Sequence, residues 1–244
     1  NLFGAGISSQ ELQALKVESR PLVNRAVAGI YPPGSIFKPI IVAASIDSGA
    51  ANEQQLFTCP GYFKLGRMRI DCWKESGHGT INMRKAIEQS CNAYFCQLGL
   101  KCGFDSIYKT AEKSGIGQVT GIEISPEYKG LLPNNAWKRK TTGEGWRQGD
   151  TCNISIGQGA LLVTPLQMAV FASEIANGGY ICRPRLIMRR GEGDTFVRRN
   201  GWSAEAIRVV RAGMYDVIQA ESGTGGRARI SEVEMAGKTG TAEY

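Results

Sequence analysis

The chain has 244 residues, 42% of them apolar and 21% charged, with a formal net charge of +7; that is long enough for one large domain with a buried core and too apolar for a disordered chain. No run approaches the roughly 20 apolar residues of a membrane helix, and the N-terminus lacks the basic start and apolar stretch of a signal peptide, so the chain is read as soluble. Its basic residues fall in runs such as WKRKTTGEGWR (137–147) and MRRGEGDTFVRR (188–199), mixed with glycine and acids; they are expected to be exposed loops, and no nucleic-acid partner is expected.

The first predicted element is a helix over 35–48, with Ile36, Phe37, Ile40, Ile41 and Ala44 on its apolar face and Gly49 as its stop. Ser35 and Lys38 lie one turn apart on it, the spacing a base-activated nucleophile requires. Pro39 has no N–H for the carbonyl of Ser35, so the first turn should be irregular, and the free N–H groups of a helix start suit a developing oxyanion. Alone, S-x-x-K is better explained by a helix cap and a solvated lysine, because the spacing is common by chance.

Cys59, Cys72, His78 and Cys91 follow as C-x12-C-x5-H-x12-C, four ligands of the type that closes a structural zinc site, although the spacing is not that of a standard finger. Buried free thiols remain the alternative. Seven cysteines cannot all enter a closed disulfide framework, and Cys96, Cys102, Cys152 and Cys182 are read as core thiols.

A second helix is expected over 82–98, capped by Asn82, carrying Ala86, Ile87, Tyr94, Phe95 and Leu98, with Gly99 beyond it. Within it SCN (90–92), taken alone, is a polar break. TPLQMAVFASEIANGG gives the clearest helix, with Thr164 as cap, Pro165 at its first position and Asn177-Gly178-Gly179 at its end. A fourth runs from Ser203 to about Ala220, with Glu205 in its first turn and Ile207, Val210, Met214 and Val217 on one face. The glycine-rich loop SGTGG (222–226) then leads to VEMAGKTGTA, which reads as a strand broken by glycines. GKT (237–239) is not the tail of a phosphate-binding loop, since Glu232 stands where that motif needs glycine.

S-x-x-K at 35–38, S-x-N at 90–92 and K-T-G at 238–240 form, in this order, the motif trio of penicillin-binding proteins and serine β-lactamases. With NRAVAGIYPPGSIFKPI, SIGQGALLVTPLQMA and IANGGYICRPRLI around them, nearly the whole chain resembles the transpeptidase domain of a class B penicillin-binding protein of the elongation, or rod-shape, type.

The resemblance implies an α/β (α+β) serine β-lactamase/transpeptidase-like fold, an antiparallel sheet flanked by helices with a large helical subdomain. It implies a peptidoglycan D,D-transpeptidase in which Ser35 attacks D-Ala-D-Ala, Lys38 is the base and Ser90 relays the proton. Asn92 would orient Lys38 and grip substrate, Lys238, Thr239 and Thr241 would hold the substrate carboxylate, and Gly240 would leave room for it. Backbone N–H groups of Ser35 and Thr241 would form the oxyanion hole. Burial and the charge of Lys238 are both expected to lower the pKa of Lys38. β-Lactams, which resemble D-Ala-D-Ala, should acylate Ser35. A serine β-lactamase, a penicillin sensor or a non-catalytic binding module are the alternatives; no E-x-x-L-N stretch supplies a lactamase glutamate.

Relatives of the elongation type often carry zinc beside the second motif, which favours Cys59, Cys72, His78 and Cys91 as its ligands within an insertion spanning 59–91. The partners implied are peptidoglycan stem peptides and a membrane glycan polymerase of the rod-shape system. Family members have strands on either side of this stretch, a pedestal and a membrane anchor. The chain is therefore expected to be part of a longer protein of the inner membrane's periplasmic face, with its sheet incomplete here.

Overall fold

The computed structural model describes residues 6–15, 22–187 and 196–241. In chain order it has helices α1 (Ser9–Ala14) and α2 (Arg25–Ala28), a 3-10 turn (Gly34–Phe37) that runs into α3 (Lys38–Asp47), then strands β1 (Phe57–Cys59), β2 (Tyr62–Leu65), β3 (Met68–Asp71) and β4 (Gly79–Ile81). Next come α4 (Met83–Glu88), α5 (Asn92–Cys102), α6 (Phe104–Lys113), α7 (Asn135–Thr142), α8 (Gln148–Ser155), α9 (Pro165–Ala176), β5 (Tyr180–Cys182), β6 (Phe196–Arg199) and α10 (Ala204–Gln219). The architecture mixes helices with small antiparallel sheets: β1 pairs with β4, β2 with β3 and β5 with β6, each as a separate two-stranded ladder. Among the described residues no helix is long and apolar enough to cross a membrane.

Helix α3 is the axis of the core. Every residue from Lys38 to Ser45 is buried, and α5, α6 and α10 pack around it. A helix apolar on all sides can only be stable inside a protein. Each of its fully buried isoleucines, Ile40 and Ile41, contributes about 1.5–3 kcal/mol relative to an exposed side chain.

The helices over Pro165–Ala176 and Ala204–Gln219 match their expected limits. The hydroxyl of Thr164 accepts from Gln167 N–H while the Gln167 side chain accepts from Thr164 N–H, and Ser203 caps α10 through Ala206 N–H. The helix expected over 82–98 is two helices, α4 and α5, separated at Gln89–Cys91. Asn82 caps the first as expected. Gly99 is no stop: it is buried inside α5, where a Cβ would lie 1.8 Å from Ser155 Oγ, so glycine permits the close crossing of α5 and α8. The stop is Gly103, at φ 84°.

Two other expectations change. WKRKTTGEGWR begins as a helix, because Asn134 accepts from Trp137 N–H and so caps α7, and Trp146 stacks on Phe104. Residues 188–195 of MRRGEGDTFVRR lie outside the described residues, while Phe196–Arg199 is β6. VEMAGKTGTA is not a regular strand; among the described residues its one ladder contact is the bridge between Ile230 and Val233. A strand is defined by its partner's hydrogen bonds, and among the described residues no strand pairs with residues 234–241.

The core also buries one carboxyl group. Glu174 on α9 is fully buried, accepts a hydrogen bond from Asn200 Nδ2 through Oε1, and leaves Oε2 without a partner. Burial pushes its pKa up from 4.5 to about 7, against the opposing effects of Asn200, Ser114 and Arg198. Between those values the folded state holds a proton that the unfolded state has lost. Stability should therefore fall as pH rises from about 4.5 and level off above about 7, by up to roughly 3 kcal/mol. In urea unfolding at pH 5 and pH 8, Glu174→Gln should remove most of this difference; equal pH dependence in variant and parent would refute the assignment.

Candidate active site

The serine turn is shaped by glycines on two segments. Gly34 adopts φ 56° and donates its N–H to Gly157 O at 2.9 Å, and a Cβ on Gly157 would lie 2.0 Å from Gly34 O. Tyr31 and Val163 exchange backbone hydrogen bonds of 2.9 Å in both directions. SIGQGALLV thus straps YPPGS against the body of the protein. Lys38 N–H closes the 3-10 turn on Ser35 O, and Pro39 follows without a donor. The first turn is irregular, as Pro39 requires.

Ser35 caps neither the turn nor α3. Among the described residues its hydroxyl makes no hydrogen bond, and the residue lines a cleft of about 990 Å³ together with Ser90, Asn92, Thr239 and Thr241. Sequence spacing left open a bond between Ser35 and Lys38. The lysine amine turns instead to the second motif.

Lys38 is fully buried. Its Nζ donates to Ser90 O at 2.8 Å and to Asn92 Oδ1 at 2.7 Å, and lies 3.2 Å from Ser90 Oγ. Burial lowers its pKa from 10.5 to about 8, opposed by the nearby thiols of Cys91, Cys72 and Cys96. Lys238 Nζ donates to the same Ser90 Oγ at 2.8 Å and to Thr239 O at 3.0 Å. Its pKa is lowered to about 6, first by burial and then by the charge of Lys38. The like-charge effect expected on Lys38 therefore falls on Lys238, and one hydroxyl joins the two amines.

Ser90 sits in the break between α4 and α5 at φ 53°, the one left-handed non-glycine among the described residues. Such a conformation costs of order 1–3 kcal/mol and persists only when its surroundings fix it. Here Cys91 N–H reaches Ala86 O at 3.1 Å, and Trp73 Nε1 donates to Gln89 O at 2.7 Å. Asn92 begins α5, and its Nδ2 donates to Asp71 O at 3.0 Å, which leaves Oδ1 facing Lys38. Gly240 comes close to the serine turn: a Cβ there would lie 3.1 Å from Ile36 Cγ2.

Beside the second motif, the ligand atoms of Cys59, Cys72, His78 and Cys91 all lie within 4.8 Å of one another. His78 Nδ1 is 3.5 Å from Cys59 Sγ and 3.4 Å from Cys72 Sγ, and Cys72 Sγ is 4.0 Å from Cys91 Sγ. Bonds of roughly 2.0–2.3 Å at tetrahedral angles would separate such ligands by about 3.5–3.8 Å. The contact with Cys91 holds the Cys72 thiol well below its usual pKa, at about 4, and pushes Cys91 up; burial keeps His78 neutral. Thiolate and neutral imidazole are the metal-binding forms, so this cluster fits a metal ion. The other cysteines are free: Cys96 and Cys152 are buried as expected, whereas Cys102 and Cys182 are only partly so.

Several cleft residues lie outside the three motifs. Trp73, 60% exposed, follows a cluster cysteine and stands on the wall formed with β3. Asn153, Ile156, Gln158 and Thr224 also line it. In sequence these positions are touched only in passing: Ile156 and Gln158 fall in the SIGQGALLVTPLQMA stretch and Thr224 in the SGTGG loop, and none of the three is given a role in the cleft.

A serine at the mouth of a helical body, a buried lysine one turn on, and a second serine shared with a second lysine define the class of penicillin-binding serine enzymes. Comparison with known proteins agrees: the family model for the penicillin binding protein transpeptidase domain matches residues 6–244. The peptidoglycan D,D-transpeptidase MrdA of Acinetobacter baumannii is 38% identical over 255 residues, covering 100% of this chain and 38% of that protein. The Helicobacter pylori penicillin-binding protein PBP2, solved in complex with MreC, superposes with a TM-score of 0.90 at 32% identity, over 98% of this chain and 45% of that one. A chain of a peptidoglycan synthase complex that coordinates polymerization and crosslinking does so with a TM-score of 0.85 at 32% identity, over 97% of this chain and 41% of that one. The chain belongs to the penicillin-binding protein transpeptidase-domain family. It spans about two fifths of the length of the curated relatives it matches.

Proposed function

We propose that residues 1–244 are the D,D-transpeptidase domain of a longer, envelope-anchored protein that cross-links peptidoglycan stem peptides during cell elongation. The observation that carries this reading is the fully buried Lys38, bonded to Ser90 and Asn92, beside a Ser90 hydroxyl that also receives Lys238. Ser35 Oγ attacks the carbonyl carbon of the penultimate D-alanine. Its proton passes to neutral Lys38, and the new C–O bond forms an acyl-enzyme as the C–N bond to the terminal D-alanine breaks. Ser90, in contact with both lysines, relays the proton to the leaving amine. An amine of a second stem then attacks the ester, a C–N bond forms, the C–O bond breaks, and Ser35 regains its proton.

Lys238, Thr239 and Thr241 hold the substrate carboxylate, Gly240 lets it approach the turn, and the N–H groups of Ser35 and Thr241 face the oxyanion. Lys238 is depressed to about 6 in the empty cleft by burial and by Lys38. An arriving carboxylate favours its charged form, and that charge in turn favours neutral Lys38.

Zinc is the metal that three cysteines and a histidine suit best, and Cys59, Cys72, His78 and Cys91 would hold it within an insertion over 59–91. Bound there, it supplies structural rigidity. Cys91 lies between Ser90 and Asn92, so a fixed Cys91 fixes both. The partner this reading implies is a membrane glycan polymerase of the rod-shape system; it is supported by a similar chain of a synthase complex that coordinates polymerization and crosslinking, and the Helicobacter protein is solved with MreC. The domain then works at the periplasmic face of the inner membrane.

The test is the intact mass of the protein after exposure to a penicillin, followed by peptide mapping. A long-lived adduct on the Ser35 peptide is expected. Absence of an adduct on folded protein, or its rapid hydrolysis with turnover of the penicillin, would overturn the transpeptidase reading; turnover would favour a β-lactamase.

A further inference from the structure

The glycine-rich loop 222–226 belongs to none of the three motifs, yet it delivers one side chain into the cleft. Gly223 and Gly225 lie flat on the end of α10: Cβ atoms there would come within 2.4 Å of Val217 O and 2.6 Å of Ile218 Cδ1. Gly223 N–H donates to Ala220 O at 3.1 Å and Gly225 N–H to Val217 O at 2.8 Å. Thr224, between them, is turned away from the helix. Its N–H and Oγ1 both reach Glu88 O, at 3.3 and 3.2 Å, and Glu88 is buried two residues before Ser90. A second latch reinforces the first, since Ser222 Oγ and Lys85 Nζ both donate to Glu88 Oε1. On its other side Thr224 Oγ1 is 2.9 Å from Thr239 Oγ1, and both threonines line the cleft.

We infer that Thr224 is a carboxylate-binding residue of the cleft, its hydroxyl standing beside that of Thr239 to hold the C-terminal carboxylate of the donor peptide or the corresponding carboxylate of a β-lactam. The inference rests on the reading of the cleft given above. In the empty cleft the Thr224 hydroxyl gives its one proton to Glu88 O. Because Thr224 N–H also donates to that carbonyl, the hydroxyl proton can turn to an arriving carboxylate, which then meets the Lys238 amine and two neutral donors. A hydrogen bond to an ionised acceptor is about twice as strong as a neutral one. The latch to Glu88 keeps the loop aligned with the segment that carries Ser90, so carboxylate binding and the proton relay share one frame.

The test separates binding from chemistry. Thr224→Val keeps the shape and removes the hydroxyl; Thr224→Ser keeps the hydroxyl. Stopped-flow acylation by a penicillin and by its methyl ester, each over a range of concentrations, yields an apparent dissociation constant and a limiting rate. For the free acid, Thr224→Val should raise the dissociation constant about ten-fold with the limiting rate little changed, as loss of one charge-assisted hydrogen bond predicts. Thr224→Ser should restore it, and the ester should bind parent and variants alike. Unchanged binding in Thr224→Val, or an equal loss with the ester, overturns the assignment in an acylated parent. A parent that is never acylated overturns the reading of the cleft and this assignment with it.

Discussion

Lys38→Met should lower the second-order rate constant for penicillin acylation by roughly 10²–10⁴-fold, the span that a positioned general base contributes. Methionine matches the length of the lysine stem and suits a fully buried site on α3, so the variant should fold. It leaves Ser90 O and Asn92 Oδ1 without their donor; a modest loss of stability is expected with the loss of rate. Lys38→Arg should not rescue, since a guanidinium stays charged and cannot accept the serine proton.

The same assignment sets the sign of the pH profile. Burial lowers the Lys38 pKa from 10.5 to about 8, and the base acts when neutral. At saturating penicillin, where the bound carboxylate keeps Lys238 charged, acylation by the parent should rise with pH, close to ten-fold per unit below the Lys38 pKa, and level off by about 8. A Lys38→Met protein acylated at the parental rate would sink the assignment, and so would a parental rate that falls as pH rises through 8.

Removal of the metal should have the second largest effect. Purified protein should carry close to one zinc per chain, and Cys59→Ala should lose it. Cys59 lies on β1 and is absent from the cleft lining, so any loss of acylation in this variant reports the metal site and not a damaged cleft. A large drop in thermal stability is expected, because the free energy of binding a structural zinc appears as folding free energy. Acylation should fall as well, since Ser90 at φ 53° depends on its neighbours to stay in a left-handed conformation. Protein that arrives without zinc, and a Cys59→Ala variant that acylates and melts like the parent, would together remove the metal from the account.

Much of this was legible in the residues. The helix over Pro165–Ala176 was readable because its cap, its first-position proline and its terminal glycines are local chemistry, complete within one segment. The irregular turn at Ser35 was readable for the same reason: Pro39 removes a donor wherever the helix happens to lie. The trio of motifs, in order, with long matching stretches around it, indicated the family.

Tertiary structure decided what depends on contacts between distant segments. Gly99 looked like a helix stop and is a helix interior, because only packing reveals that Ser155 leaves no room for a side chain there. SCN looked like a break inside one helix; the hydrogen bonds of Trp73, Asp71 and Lys38 make it a fixed left-handed turn between two. The two lysine amines meet at one hydroxyl, 52 residues from one and 148 from the other. Thr224 is silent in sequence, where a threonine between glycines is an ordinary loop. Local propensities and motif order sufficed for the fold family and the expected nucleophile. Which groups share a proton, which thiols meet a histidine and which loop enters the cleft follow from distance, and only the folded chain sets distance.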